Sequence, residues 1–144
     1  MKKDFNYKDV PQTYPHCLHA QCPQAQKCLR FYVAQHADEE TQTFPLINPN
    51  YLNGKEESCP YFQLNVLTRF ASGITHLFDD LPHAKAVKIK QIIYNYFKRN
   101  MYYRILNKER LIKLDEEAFI RGVFKKEGID TEPVFDEYVY KYDW

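Results

Sequence analysis

The sequence predicts a mainly α-helical protein: a single small domain with a cysteine-rich, metal-stapled N-terminal region (residues 1–62) and a C-terminal helical bundle (residues 63–144). Three observations predict it. Apolar side chains in the C-terminal half recur at helical spacing. All four cysteines fall between Cys17 and Cys59. Lysine and arginine crowd into residues 85–113, where two helices and a short turn have the rhythm of a helix-turn-helix. The 144 residues fit one domain. With 44% hydrophobic residues and only four Gly, the chain has enough apolar material to offset the entropy of ordering.

Residues 1–16 read as an extended lead-in, because Pro11 and Pro15 block regular structure. Pro23 is suited to a first helical position, with Cys22 as cap, and the helix runs to about Ala37. Leu29, Tyr32, Val33 and His36 form its core face. Thr43 to Ile47 reads as a short strand, enough for one short β-hairpin, closed at Asn48-Pro49. Asn53-Gly54 marks a tight turn. From Pro60 the pattern turns helical, with Leu67, Phe70, Ala71, Ile74 and Phe78 as a stripe that Gly73 interrupts or opens to a close neighbour. Asp79 to Pro82 is a stop followed by a start.

Ile89, Ile92, Ile93, Tyr96 and Phe97 fit the helical template without a miss. Lys98-Arg99-Asn100 is a short turn with Asn100 as N-cap. A second helix carries Met101, Tyr102, Ile105 and Leu106. A third begins at Asp115, buries Ile120, Val123 and Phe124, and ends at Gly128. Thr131 and Pro133 suggest a last short helix before an aromatic tail from Tyr138 to Trp144.

The cysteines are spaced C-x4-C-x5-C, then thirty residues, then C-P, and the 85 residues after Cys59 contain none. Three explanations compete. Disulfides suit an exported protein, but no apolar run follows the N-terminal lysines, as a signal peptide requires. Buried free cysteines pack as small hydrophobes. A metal with Cys17, Cys22, Cys28 and Cys59 as ligands explains the cluster as a unit. Four thiolates close a tetrahedral zinc shell, so the expected metal is a structural zinc. Cys22-Pro23 and Cys59-Pro60 keep an iron–sulfur cluster as the alternative cofactor. The expected helix N-terminus would favour the Cys22 thiolate. His16 and His19 flank Cys17 and could replace one thiolate; each alone is more simply a loop histidine.

Net charge is +1, so total charge selects no partner. Its distribution is informative. Residues 85–113 hold nine Lys or Arg against one acid, whereas residues 115–144 hold nine acids against four bases. A helix-turn-helix would place Arg104 and Asn107 at base edges and Lys98, Arg99 and Lys108 near phosphates, with Arg110 a further binding residue of the same basic cluster. Tyr94, Tyr96, Tyr102 and Tyr103 interleave with the cations and could stack bases. These residues make DNA or RNA the expected partner. A solvated face balanced by the acidic segment, or a protein partner, is the competing account, and the turn lacks the glycine usual in such motifs.

An enzyme is not expected. Ser58 and Ser72 are the only serines, the adjacent pairs Glu39-Glu40 and Asp79-Asp80 diverge as neighbours do, and no phosphate loop or dinucleotide motif is present. Cys17 as an activated thiol beside His16 and His19 explains the cluster less well. No stretch approaches 18 apolar residues, so no membrane partner is expected, and a cytoplasmic location is. The sequence selects no oligomeric state.

The chain resembles an uncharacterised bacterial family known as a domain of unknown function. The resemblance rests on His16-Cys17, Cys22-Pro23, Cys28-Leu29-Arg30, Cys59-Pro60-Tyr61-Phe62, Tyr102-Tyr103-Arg104, Lys108-Glu109-Arg110 and Tyr142-Asp143-Trp144. It implies a bacterial cytoplasmic protein with a shared cysteine set, and it implies no activity.

Overall fold

Hydrophobic side chains collect around two separate cores, and the chain divides accordingly. Residues 1–67 with 142–144 form one compact unit, and residues 68–141 form the other. The computed structural model describes residues 5–144; the first four residues of the expected lead-in lie outside them.

In the first unit a 3-10 turn at Tyr7–Asp9 is capped by Asn6, whose side chain accepts the Lys8 N–H at 3.1 Å. The helix expected over 23–37 is broken in two: a 3-10 turn, Ala25–Lys27, then α1, Leu29–Gln35. Cys28 between them is extended, at φ −91° and ψ 123°. The cause is a competing partner. The Leu29 N–H donates to the Gln63 carbonyl at 2.7 Å and the Asn65 N–H to the Lys27 carbonyl at 2.8 Å, so segment 63–65 takes groups a continuous helix would use. Cys22 therefore caps no helix.

The expected strand at 43–47 is reduced to one parallel bridge, His16 to Leu46. Pro45 has no N–H to extend a ladder. Asn48 instead caps a four-residue helix, α2, Pro49–Leu52, with Pro49 at its first position. Gly54 turns the chain at φ 78°. Leu29 and Val33 are fully buried with Tyr14 and Tyr142; Phe5, Tyr32 and Trp144 pack against them. Tyr14 and Trp144 meet edge-to-face at 5.0 Å.

The second unit holds a two-stranded antiparallel ribbon, β1, Thr68–Ser72, with β2, Glu137–Lys141. Thr68 pairs with Lys141 and Ser72 with Glu137. The helical stripe expected around Phe70 and Ala71 is thus a strand, and the aromatic tail supplies its partner. On the opposite side of β1, Ala71 exchanges hydrogen bonds with Ile112, at 3.2 and 2.8 Å. Gly73, at φ +81°, ends the strand where no helix could continue. No helix forms around Thr131; Phe135 enters the core, and Asp136 accepts the N–H groups of Thr75 and His76.

Helix α3 runs His83–Leu106, interrupted at a single residue, Lys98, with φ 67° and ψ 164°. Helix α4, Leu114–Lys126, starts with Glu116 accepting the Lys113 N–H at 3.0 Å and has three acids in its first turn. It ends in paired C-terminal bonds, Gly128 N–H to Lys125 and Ile129 N–H to Phe124, with Gly128 at φ 77°. Ile89, Ile93, Phe97, Tyr102, Ile105, Ile112, Ile120 and Phe124 make the core. Where a turn of three residues was expected between two helices, a single non-helical residue separates the two parts of α3, and the second part ends at Leu106; among the described residues no helix-turn-helix is shown.

Candidate metal centre and basic helical face

The four cysteines reach one place from four local structures. Cys17 follows the His16 bridge, and its N–H donates to the Arg30 carbonyl at 3.2 Å. Cys22 closes a turn on His19 and accepts the Ala25 N–H at 3.0 Å. Cys28 is the residue before α1, and Cys59 follows the 3-10 turn Glu56–Ser58. All four line a single cavity of about 30 Å³, large enough for one or two water-sized groups. Phe31, Ile47, Leu52 and Phe62 provide its apolar wall, and Arg30 and Lys55 also border it.

The thiols are free. Burial pushes the Cys17 thiol up; a hydrogen bond from the His19 backbone lowers it, and the charges of Cys28, Cys22 and Cys59 raise it further. The fit of the residue types is good. As the side chains stand, however, no group of three or more His, Cys, Asp or Glu among the described residues is arranged to hold a metal.

The two flanking histidines separate. His16 is buried, and both its nitrogens are committed. Nδ1 meets the Tyr14 carbonyl at 2.8 Å and so carries the proton, leaving Nε2 to accept the Tyr7 hydroxyl at 2.8 Å. Its ring stacks on Phe44 at 4.2 Å, and it does not border the cysteine cavity. Burial holds its pKa below the ordinary histidine range. His19 does border the cavity, with Glu56 at 3.5 Å, an acid that sequence spacing gave no reason to single out.

The basic block divides by the company its cations keep. Arg110 forms two hydrogen bonds with Glu116, at 2.9 and 2.6 Å. Lys108 stands 3.8 Å from Glu137 and acts on the Asp136 carboxylate. Lys88 pairs with Glu127 at 3.0 Å. Tyr102 is buried in the core and exposes no face for stacking. Lys90, Lys98, Arg99 and Arg104 are exposed and have no ion pair among the described residues. Asn107 is exposed and closes α3 through its backbone N–H.

The tyrosines divide too. Tyr96 lies flat on Phe119, 3.8 Å away at 15°. Val87, Lys90, Gln91, Tyr94, Tyr102 and Tyr103 line a surface groove of about 410 Å³. Lys90 and Gln91 were not singled out in the sequence, although they share a helical face with Val87 and Tyr94.

Among the described residues no helix is long and apolar enough to cross a membrane. No curated protein and no solved structure is significantly similar to the chain. The sequence matches the family of unknown function DUF6078 over residues 1–144, and the chain belongs to that family.

Proposed function

We propose that this is a nucleic-acid-binding protein whose first unit is stapled by a structural zinc ion. The observation that carries the binding assignment is the set of exposed cations without acid partners around the kink of α3: Lys90, Lys98, Arg99 and Arg104. Cations already paired with Glu116, Glu127 or Glu137 gain little from phosphate, whereas free ones release counterions from it. Lys108 and Arg110 accordingly belong to the fold, and Asn107 is a neighbour of the binding face.

Cys17, Cys22, Cys28 and Cys59 would hold the zinc. Zinc supplies a closed thiolate shell with no position for substrate. Four thiolates around a divalent cation carry a net negative charge, and Arg30 and Lys55 at the same cavity offset it. Metal binding would draw the four thiols together as they lose their protons.

Two measurements test the proposal. Elemental analysis of purified protein should find one zinc per chain in a colourless sample. A brown, iron- and sulfide-bearing sample would move the centre to the iron–sulfur alternative, and a metal-free folded protein would remove it. Binding to DNA and RNA across a salt series should weaken steeply with salt, and Arg99→Ala with Arg104→Ala should flatten that slope. Zinc without salt-dependent nucleic-acid binding would instead point to a protein-interaction module, with exposed Val134 and Tyr140 as its first surface to probe.

A further inference from the structure

We infer that the groove at the kink of α3 takes an unpaired base, so that the nucleic acid bound there is single-stranded. This rests on the nucleic-acid reading above and adds what kind of nucleic acid and where. On a straight helix, residues eight apart are displaced by roughly 12 Å along the axis. Tyr94 and Tyr102 instead have ring centroids 5.3 Å apart, and Tyr94 and Tyr103 6.4 Å. The kink folds the second half of α3 back to make that cluster. Its backbone, φ 67° and ψ 164° at a lysine, lies in a region that is costly for any residue but glycine.

What the cluster presents suits a base. Tyr103 is 48% exposed. Tyr94 and Tyr102 meet it at 83° and 87°, so neither lies stacked on it. Tyr96 shows the contrast, since Phe119 already occupies its face. Lys90 lines the same groove, and Arg99 precedes Tyr103 by four residues, on one helical face. A half-exposed ring on which no other ring is stacked, near cations without acid partners, matches a nucleotide's flat base and its phosphate. A duplex keeps its bases stacked on one another and cannot offer that face. The second part of α3, residues 99–106, is about two turns long and offers little helix to lay along a major groove.

The test uses the full-length protein and fluorescence anisotropy with labelled DNA and RNA strands of about 16 nucleotides, each also annealed to its complement. Single strands should bind more tightly than either duplex; the DNA and RNA arms show which sugar is preferred. Tyr103→Ala should weaken single-strand binding by about tenfold with the salt slope unchanged. Tyr103→Phe should retain binding, and Lys90→Ala should reduce the slope by about 0.7. Circular dichroism of each variant checks that the fold is kept. Salt-dependent binding that ignores strandedness, or is unmoved by Tyr103→Ala, overturns the base-stacking site while leaving the basic face intact. No binding to any strand or duplex overturns both.

Discussion

Gly73 shows how one residue fixes its surroundings. Its φ of +81° already disfavours a side chain, and a Cβ there would run into the Asp136 carboxylate and the Lys108 stem. Gly73→Ala should therefore destabilise the protein by about 2 kcal/mol or more, seen as a lower urea midpoint; an unchanged midpoint would mean the chain does not pass so closely. Asp136 is fitted to that spot. Burial raises its carboxyl pKa, but hydrogen bonds from Thr75 and His76 and the Lys108 charge lower it more, leaving it below the ordinary carboxylate range. The unfolded carboxyl titrates near pH ~3.9. The stabilisation from Asp136 is thus fully present above that pH and is lost as pH falls through the lower, folded pKa. Asp136→Asn should cost about 1 kcal/mol near neutral pH. The variant should also show a shallower loss of stability below about pH 4 than the parent. Parallel pH profiles would exclude the carboxylate as the cause.

At the scale of elements, Lys98 holds a backbone conformation of the kind glycine tolerates. Lys98→Gly should raise stability by about 1 kcal/mol in thermal unfolding; a fall would show that the lysine side chain is itself needed at the kink. The sequence placed this break within its expected turn at Lys98-Arg99-Asn100 but made it a turn of three residues, because a single positive-φ lysine leaves no compositional mark. What was legible follows from locality. Ile89, Ile93 and Phe97 declare α3 through their own spacing, and Gly128 declares the end of α4. What was hidden depends on distant partners. Phe70, Ala71 and Ile74 fit a helical stripe, yet pairing with 137–141 and the Ile112 bridge make residues 68–72 a strand that ends before Ile74. Segment 63–65 likewise breaks the expected first helix at Cys28. The candidate sites divide in the same way. The crowding of cysteines was visible as spacing, but the pairing of Lys108 with Glu137 and of Arg110 with Glu116 was not, since side-chain pairing is set by the fold.

At the scale of the whole molecule, each unit has its own core, and the two cores carry different spectroscopic reporters. Trp144 is the only tryptophan, and it packs in the first unit against Tyr14 and Tyr142. Helix α3 has 24 residues and α4 has 13, both in the second unit, against seven and four in α1 and α2. Tryptophan fluorescence therefore follows the first unit, and far-ultraviolet circular dichroism mostly follows the second. The proposed zinc belongs to the first unit alone. Its core centres on two fully buried aliphatic side chains, Leu29 and Val33, ringed by aromatics, so a cross-link there matters more than it would among the isoleucines of the second unit. Removing metal with a strong chelator, or substituting Cys22→Ser, should lower the fluorescence transition by several kcal/mol while the dichroism transition keeps most of its amplitude and midpoint. Backbone amides of Leu29–Gln35 should lose protection from hydrogen exchange, and those of Ile89, Ile93 and Phe97 should keep it. If chelation moves neither signal, the cysteines are packing groups and no metal staples the unit. If it moves both equally, the two cores unfold as one cooperative body and the metal stabilises that body as a whole.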